Sequence, residues 1–501
     1  MNKPPNILPQ LPSIPFEDLL SIPESVRSLI SAQEEIIKQL LEMILSLQGE
    51  VQELRNKLNI NSSNSNLPPS SDRSFSTKPP KQQKKKSKKD SNGKKKAKHP
   101  GTAQKLQKPT QEFDCPLTVC PHCGGSTFTN QRQHTHQHFE LRPNPIEITH
   151  CHIHTGKCAC CGRAVSGEIP REFWASYGPR LEAFVAYLDS RTGITRRELE
   201  EVFQDALGIP ISQGAIQNTT DRVSAAILPY YEAIGDSIRK SWYAHVDETS
   251  WRTHGPLLGK SLHWLWTMTN HVLAYFRIDP HRSEDAFKAL IKDWIGVLIS
   301  DALAIYRKWP YGRQACLAHL KREICKLEES LKEEESRCGK SMGATLRTLL
   351  KMADSPPTEG QLRSLKAKIT SICKKFGSIR GKAGALARRL KDDLSSLTTF
   401  LSHPLIEKTN NHAERQIRSA VCQRKISIGS AAEKGERYIE RTLSLRKTCA
   451  LSGVSYFTVL TDAVRSFREN AKPNLLWIRK LGWRSFHSKE YPFLLQIPVI
   501  Y

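Results

Sequence analysis

Two stretches decide the fold: Ala244-His-Val-Asp-Glu-Thr-Ser-Trp251 and Gly296-Val-Leu-Ile-Ser-Asp301. The second is a short apolar run between Gly and Asp, which reads as a buried strand, and the first carries an acid at the end of a strand. Between them, Leu262–Met268 and Val272–Ile278 are aromatic and β-branched runs joined by short polar turns, and Ser283 caps a helix to about Trp294. Three consecutive strands, a helix and a further buried strand give an α/β domain with a mixed sheet. Downstream, Leu317 to about Leu401 turns helical and charged with no strand signal, and after Glu407 the chain reads helix, loop and two more helices to about Asn470.

Upstream of the sheet, 177–228 reads as helices with breaks. The first runs from Tyr177 to Asp189, with Pro179 in its first turn. Thr195 caps a second with Glu198 as its capping-box acid, Gly208 ends it, and Ser212 caps a third to about Ile227. Helix, Gly turn and capped helix make a helix-turn-helix outline, so a helical DNA-binding region is expected over 175–235. Near the N-terminus, Ile30, Gln33, Ile37, Leu40, Ile44, Leu47, Val51, Leu54 and Leu58 keep a strict 3–4 spacing. That narrow seam predicts a coiled-coil helix over 24–58, and with it a homo-oligomer that is at least a dimer.

The chain has 501 residues and a net charge of +25, with a pI near 9.6. Such an excess points to a polyanion, most simply nucleic acid. Residues 78–98 hold 11 Lys and one Asp, which leaves +15 on the rest of the chain, so the bias is not confined to a tail. This Lys-rich stretch, Lys84, Lys85 and Lys86 included, follows an Asn/Ser/Pro tract, and 59–110 is expected to be a disordered linker that meets phosphate backbone without reading sequence. No run of 18 apolar residues argues for a membrane span, and no apolar segment near the N-terminus reads as a signal peptide, so a cytoplasmic, nucleoid-associated protein is expected.

Cys120-Pro-His-Cys123 and Cys158-Ala-Cys160-Cys161 are two knuckles with zinc-ribbon spacing. Cys120, Cys123, Cys158 and Cys161 are the expected ligands of a structural Zn²⁺ within 115–165, with Ile146–Thr149 suited to the ribbon's hairpin. The second constellation is acidic. Asp247 and Asp301 end predicted strands, and Glu414 sits one turn from Arg418 on a helix whose apolar side is Ala413, Ile417 and Ala420. Acids at buried strand ends are costly unless they face a metal site. Two Asp and one Glu can hold a pair of Mg²⁺ about 3.5–4 Å apart, with Mn²⁺ as a substitute, for phosphodiester chemistry. Arg415, Arg418, Arg424, Lys425, Lys434, Arg437 and Arg441 follow the glutamate and suit phosphate positioning.

Several pieces in order resemble bacterial insertion-sequence transposases of the family named for insertion sequence sixty-six. They are the N-terminal coiled coil, Asn61-Ser-Ser-Asn-Ser with Pro68-Pro-Ser-Ser-Asp72, the Cys120 knuckle, Asp247-Glu-Thr249 and Ser300-Asp-Ala-Leu-Ala-Ile-Tyr306. Cys316-Leu-Ala-His319, Asn410-Asn-His-Ala-Glu-Arg415, Arg424-Lys425 and the Ser444 region complete the likeness, which covers about 30–475. It implies a ribonuclease H-like catalytic domain over 240–430 with a helical insertion at about 323–400, followed by a C-terminal helical region at 431–475. It also implies an Asp-Asp-Glu triad, landing on Asp247, Asp301 and Glu414, with Cys316 and His319 in support.

The implied activity is Mg²⁺-dependent cleavage and strand transfer of DNA. The partners are the ends of the protein's own mobile element and target DNA, joined by accessory proteins of the same element. Two rival readings are a domesticated transposase kept as a DNA-binding regulator and a metal-dependent nuclease. The coiled coil, zinc ribbon and helix-turn-helix favour a machine that pairs two ends.

Overall fold

The computed structural model describes residues 23–58, 145–157, 159–161, 164–255, 259–427 and 429–486, with 106, 108–113, 126, 135 and 137. Glu24–Leu58 form α1. A small hairpin of β1 (Thr155–Lys157) and β2 (Ala164–Ser166) follows. Four helices come next: α2 (Pro179–Thr192), α3 (Arg196–Leu207), α4 (Gln213–Ala226) and α5 (Leu228–Ile238). The sheet region is β3 (Tyr243–Gly255), β4 (Gly259–Thr269), β5 (Ala274–Asp279), α6 (Glu284–Ile291), β6 (Val297–Ser300), α7 (Ala304–Arg307) and β7 (Arg313–Ala315). The helical insertion comprises α8 (Leu317–Glu328), α9 (Glu333–Lys351), α10 (Glu359–Phe376) and α11 (Lys382–Asp392). Last are α12 (Asn411–Ser427), α13 (Glu433–Ser452), α14 (Tyr456–Arg468) and α15 (Leu476–Phe486).

The five-stranded sheet has the order β5-β4-β3-β6-β7. β3, β4 and β5 pair antiparallel, whereas β6 and β7 join β3 in parallel, so the sheet is mixed, as the sequence predicts. β6 is buried along its whole length, which fits its place between two strands and its apolar composition. Alternation along β3 sorts side chains between two layers. Ala244 and Val246 face a core built with α2, α4, α5, α6, α13 and α14. Tyr243, with Val297 and Ile299 of β6, faces the helical insertion, and Trp251 packs with Ile417 and Ala420 of α12.

The helices of 179–238 follow their sequence signals. Thr195 and Glu198 form the capping box, Gly208 ends α3 in the left-handed region at φ +66, and Ser212 accepts the Ala215 N–H to open α4. Buried Glu182 on α2 binds Arg222 of α4 and Arg468 of α14, both at 2.8 Å. α2, α4 and α5 share one core with the sheet, while Leu199 and Phe203 of α3 pack in a separate cluster with Val185, Ile209, Ile211 and Ile216.

At the β5 edge, α13 takes the place of a missing strand. Glu440 accepts the Ile278 N–H at 2.5 Å, Ser444 accepts the Phe276 N–H at 2.9 Å, and Thr448 accepts the Ala274 N–H at 3.1 Å. Four helical residues rise about 6 Å and two strand residues about 6.8 Å, so side chains four apart can meet N–H groups two apart. An edge that would otherwise show unpaired donors is closed.

Along α1, Ile37, Leu40, Ile44 and Leu47 are all exposed, and the side chains of Val51, Leu54 and Leu58 lie outside the described residues. Cys120, Cys123 and Cys158 also lie outside them, as do Lys84, Lys85 and Lys86. Cys161 is exposed in the β1–β2 turn, so the hairpin forms around the second knuckle and not at Ile146–Thr149, which is no strand.

Candidate active site

Register brings the two aspartates together. β3 and β6 run parallel with His245 opposite Ile299. Two residues further on stand Asp247, which lies inside β3 and not at its end as the sequence predicts, and Asp301, just past the end of β6, in the same phase of the pleat. Neighbouring strands are about 4.8 Å apart, so the two carboxylates leave the sheet side by side. α12 crosses the same face, with Glu414 in its first turn. The structure thus brings all three predicted acids to one end of the sheet.

Their charges are poorly balanced. Burial first, then the charges of Glu248, Asp301 and Glu414, hold the Asp247 carboxyl well above the usual carboxylate range. The Asp247 Oδ1 accepts the Glu248 N–H at 3.0 Å, and the Asp301 Oδ1 accepts the Leu303 N–H at 2.9 Å, so each acid is oriented by backbone. Glu414 leans toward α8, where its Oε1 is 3.8 Å from His319 Nδ1 and 4.0 Å from the Arg322 guanidinium. Repulsion from the aspartates and attraction to Arg322 act in the same direction. With Glu414 so placed, no three His, Cys, Asp or Glu side chains among the described residues are gathered tightly enough to grip one ion.

Cys316 and His319 sit beside the acids. The Sγ of Cys316 lies 3.3 Å from His319 Nδ1, and burial pushes its thiol pKa up. Burial, reinforced by Arg322, holds the His319 imidazole below its usual value. On the opposite face of β3, Glu248 accepts hydrogen bonds from the Tyr306 hydroxyl and from Arg282 Nε, the latter at 3.0 Å. Arg282 also stacks 4.8 Å over Trp264. Sequence reasoning missed this buried acid network behind Asp247, since Glu248 there was only part of a motif.

The basic residues divide. Arg415, Arg418 and Lys425 are exposed along α12. Arg424 is committed to β3, where its guanidinium donates to the Ser250 carbonyl, to Ser250 Oγ at 2.7 Å and to Thr249 Oγ1 at 3.3 Å. Lys434 pairs with Asp221, Arg437 with Glu440, and Arg441 with the Ser224 carbonyl. Lys434 and Arg441 thereby tie α13 to α4, whereas Arg437 pairs within α13 and donates to the Ile278 carbonyl of β5 at 3.3 Å.

The family model described as "Transposase IS66 family" matches residues 175–438, more than half of the chain. The chain belongs to this family of transposases. It is also 23% identical over 319 residues to "Uncharacterized protein y4qI" of Sinorhizobium fredii, an alignment that takes in 55% of the chain. The chain spans 57% of the length of that curated relative. No described helix is long and apolar enough to cross a membrane.

Proposed function

We propose that this transposase cleaves and rejoins DNA at the ends of its own element, with Asp247, Asp301 and Glu414 as its catalytic carboxylates. The observation that carries the reading is the β3–β6 register, which levels the two aspartates under α12. Three antiparallel strands followed by two parallel ones, with the glutamate on a helix returning after an insertion, support a ribonuclease H-like core.

The donor set suits a hard divalent cation: all three groups are carboxylates, and Asp247 is close enough to Glu248, Asp301 and Glu414 to feel their charges. Asp247, Asp301 and Glu414 would hold Mg²⁺, two ions being expected, with Mn²⁺ as a substitute. Such ions supply Lewis acidity and an activated water or 3′-hydroxyl. The chain's own residues supply position. Backbone N–H groups aim the aspartates, and Arg415, Arg418 and Lys425 present positive charge to a DNA strand next to Glu414. Exposure of Ile37, Leu40, Ile44 and Leu47 supports burial of the α1 seam against a second copy, which would pair two DNA ends. A structural Zn²⁺ at Cys120, Cys123, Cys158 and Cys161 belongs to the same proposal.

Purified protein is to be assayed for Mg²⁺-dependent strand cleavage on duplexes carrying the element's terminal sequences. Asp247→Asn, Asp301→Asn and Glu414→Gln should each lower cleavage at least about a thousandfold while keeping DNA binding. Full cleavage by two of the three would sink the assignment, and binding without cleavage by the wild type would favour the regulator reading.

A further inference from the structure

The motif around Glu414 begins at Asn410, which is nearly fully buried at 1% exposure. Its bonds reach every carboxylate-bearing segment. The side-chain Nδ2 donates to the Val246 carbonyl at 2.9 Å, one residue before Asp247. Its backbone carbonyl accepts the Glu414 N–H at 3.2 Å and so opens α12. Its backbone N–H donates to Cys316 Sγ at 3.1 Å, and the Cys316 N–H donates to the Ser300 carbonyl at 2.9 Å, one residue before Asp301. A single buried side chain and its peptide therefore tie together β3, the end of β6 and the first turn of α12.

The amide cannot flip. His245 Nδ1 lies 3.2 Å from Asn410 Oδ1. The Val246 carbonyl can only accept, so it takes Nδ2, and Oδ1 is left facing Nδ1, which in the matching tautomer carries the imidazole proton and donates to it. An Asp at 410 would place an acceptor against the Val246 carbonyl, and an Ala would leave that carbonyl and His245 without these partners.

We propose that Asn410 is the positioning residue of the carboxylate site, with Cys316 as its relay to the Asp301 strand. It touches no reacting atom. It fixes the distance and direction of α12 relative to both aspartates, as outer-shell groups do for metal-binding carboxylates. The inference rests on the proposed role of Asp247, Asp301 and Glu414 as cation ligands.

The test is Mn²⁺ binding to full-length, DNA-free protein, followed by the electron paramagnetic resonance signal of free Mn²⁺, with thermal melts run alongside. Asn410→Ala and Asn410→Asp should weaken Mn²⁺ binding about tenfold or more and raise the metal concentration for half-maximal cleavage by a similar factor. Cys316→Ser keeps an acceptor for the Asn410 N–H and should bind Mn²⁺ like the wild type, whereas Cys316→Ala should bind several-fold more weakly. Cooperatively folded Asn410→Ala with wild-type Mn²⁺ affinity overturns the proposal. Where Asn410→Ala does not fold, equal affinity of Cys316→Ala and Cys316→Ser overturns it. Failure of the underlying site reading looks different: the wild type would then bind no Mn²⁺ that Asp247→Asn removes, and both proposals would fall.

Discussion

The β5 edge and the Asp247 end of the sheet are both buried, acid-bearing and crossed by a helix, yet they are built on opposite principles. At the β5 edge every acceptor has its donor: Glu440, Ser444 and Thr448 each take one strand N–H, and Arg437 sits 3.1 Å from the second oxygen of Glu440. At the Asp247 end, carboxylates crowd one another: Glu248 has Arg282 and Glu414 has His319 and Arg322 beside it, but among the described residues Asp247 and Asp301 make no ion pair. A buried polar array that satisfies itself stabilises a fold, whereas one left with like charges facing each other is retained for what it does. The contrast separates residues that hold this sheet from residues that use it.

The largest expected effect on stability lies at the satisfied edge. Glu440→Ala should destabilise the protein by about 2–3 kcal/mol in denaturant melts, because it strands the Ile278 N–H and removes the nearer of the two carboxylates beside Arg437. Ser444→Ala should cost about 1 kcal/mol. Cleavage per folded molecule should stay at the wild-type level in both variants. Loss of cleavage in a folded Ser444→Ala protein would break the division between the two regions.

A smaller effect is set by pH. Burial raises the Glu440 carboxyl to about 7 in the folded protein. The folded state therefore holds a proton that the unfolded chain has released from about pH 4.5 upward, and stability contributed by that proton is lost as pH rises toward 7. Glu440→Gln keeps a carbonyl for the Ile278 N–H and does not titrate. Its stability relative to wild type should be more favourable at pH 8 than at pH 5. A difference independent of pH would mean that Glu440 is charged throughout.

The two regions were unequally legible in the sequence. Asp301 and Glu414 could be read because β6 is an apolar run that ends just before Asp301 and because the residues from Asn410 to Arg415 form a specific motif, whereas the continuation of β3 past Asp247 to Gly255 through polar residues could not. The ladder on α13 could not be read, since Glu440, Ser444 and Thr448 at helical spacing look like any solvated face. β7 was missed for a related reason: Arg313 and Gln314 are polar yet buried, Arg313 because it pairs with Asp393 at 2.8 Å and Gln314 because its amide accepts the Phe400 N–H at 2.7 Å. Asn410 was visible only as a letter in a motif. Its partners, Val246 and Cys316, stand 164 and 94 residues away, and only the folded chain brings them to it.

The central claim is that Asp247 is kept for chemistry and not for folding. Thermal unfolding of metal-free Asp247→Asn beside the wild type at neutral pH tests it most directly. Asn retains the acceptor for the Glu248 N–H but removes the carboxyl whose ionisation burial and the charges of Glu248, Asp301 and Glu414 disfavour. The account predicts that the variant melts at least as high as the wild type. A midpoint several degrees lower would make Asp247 a structural residue and contradict the account.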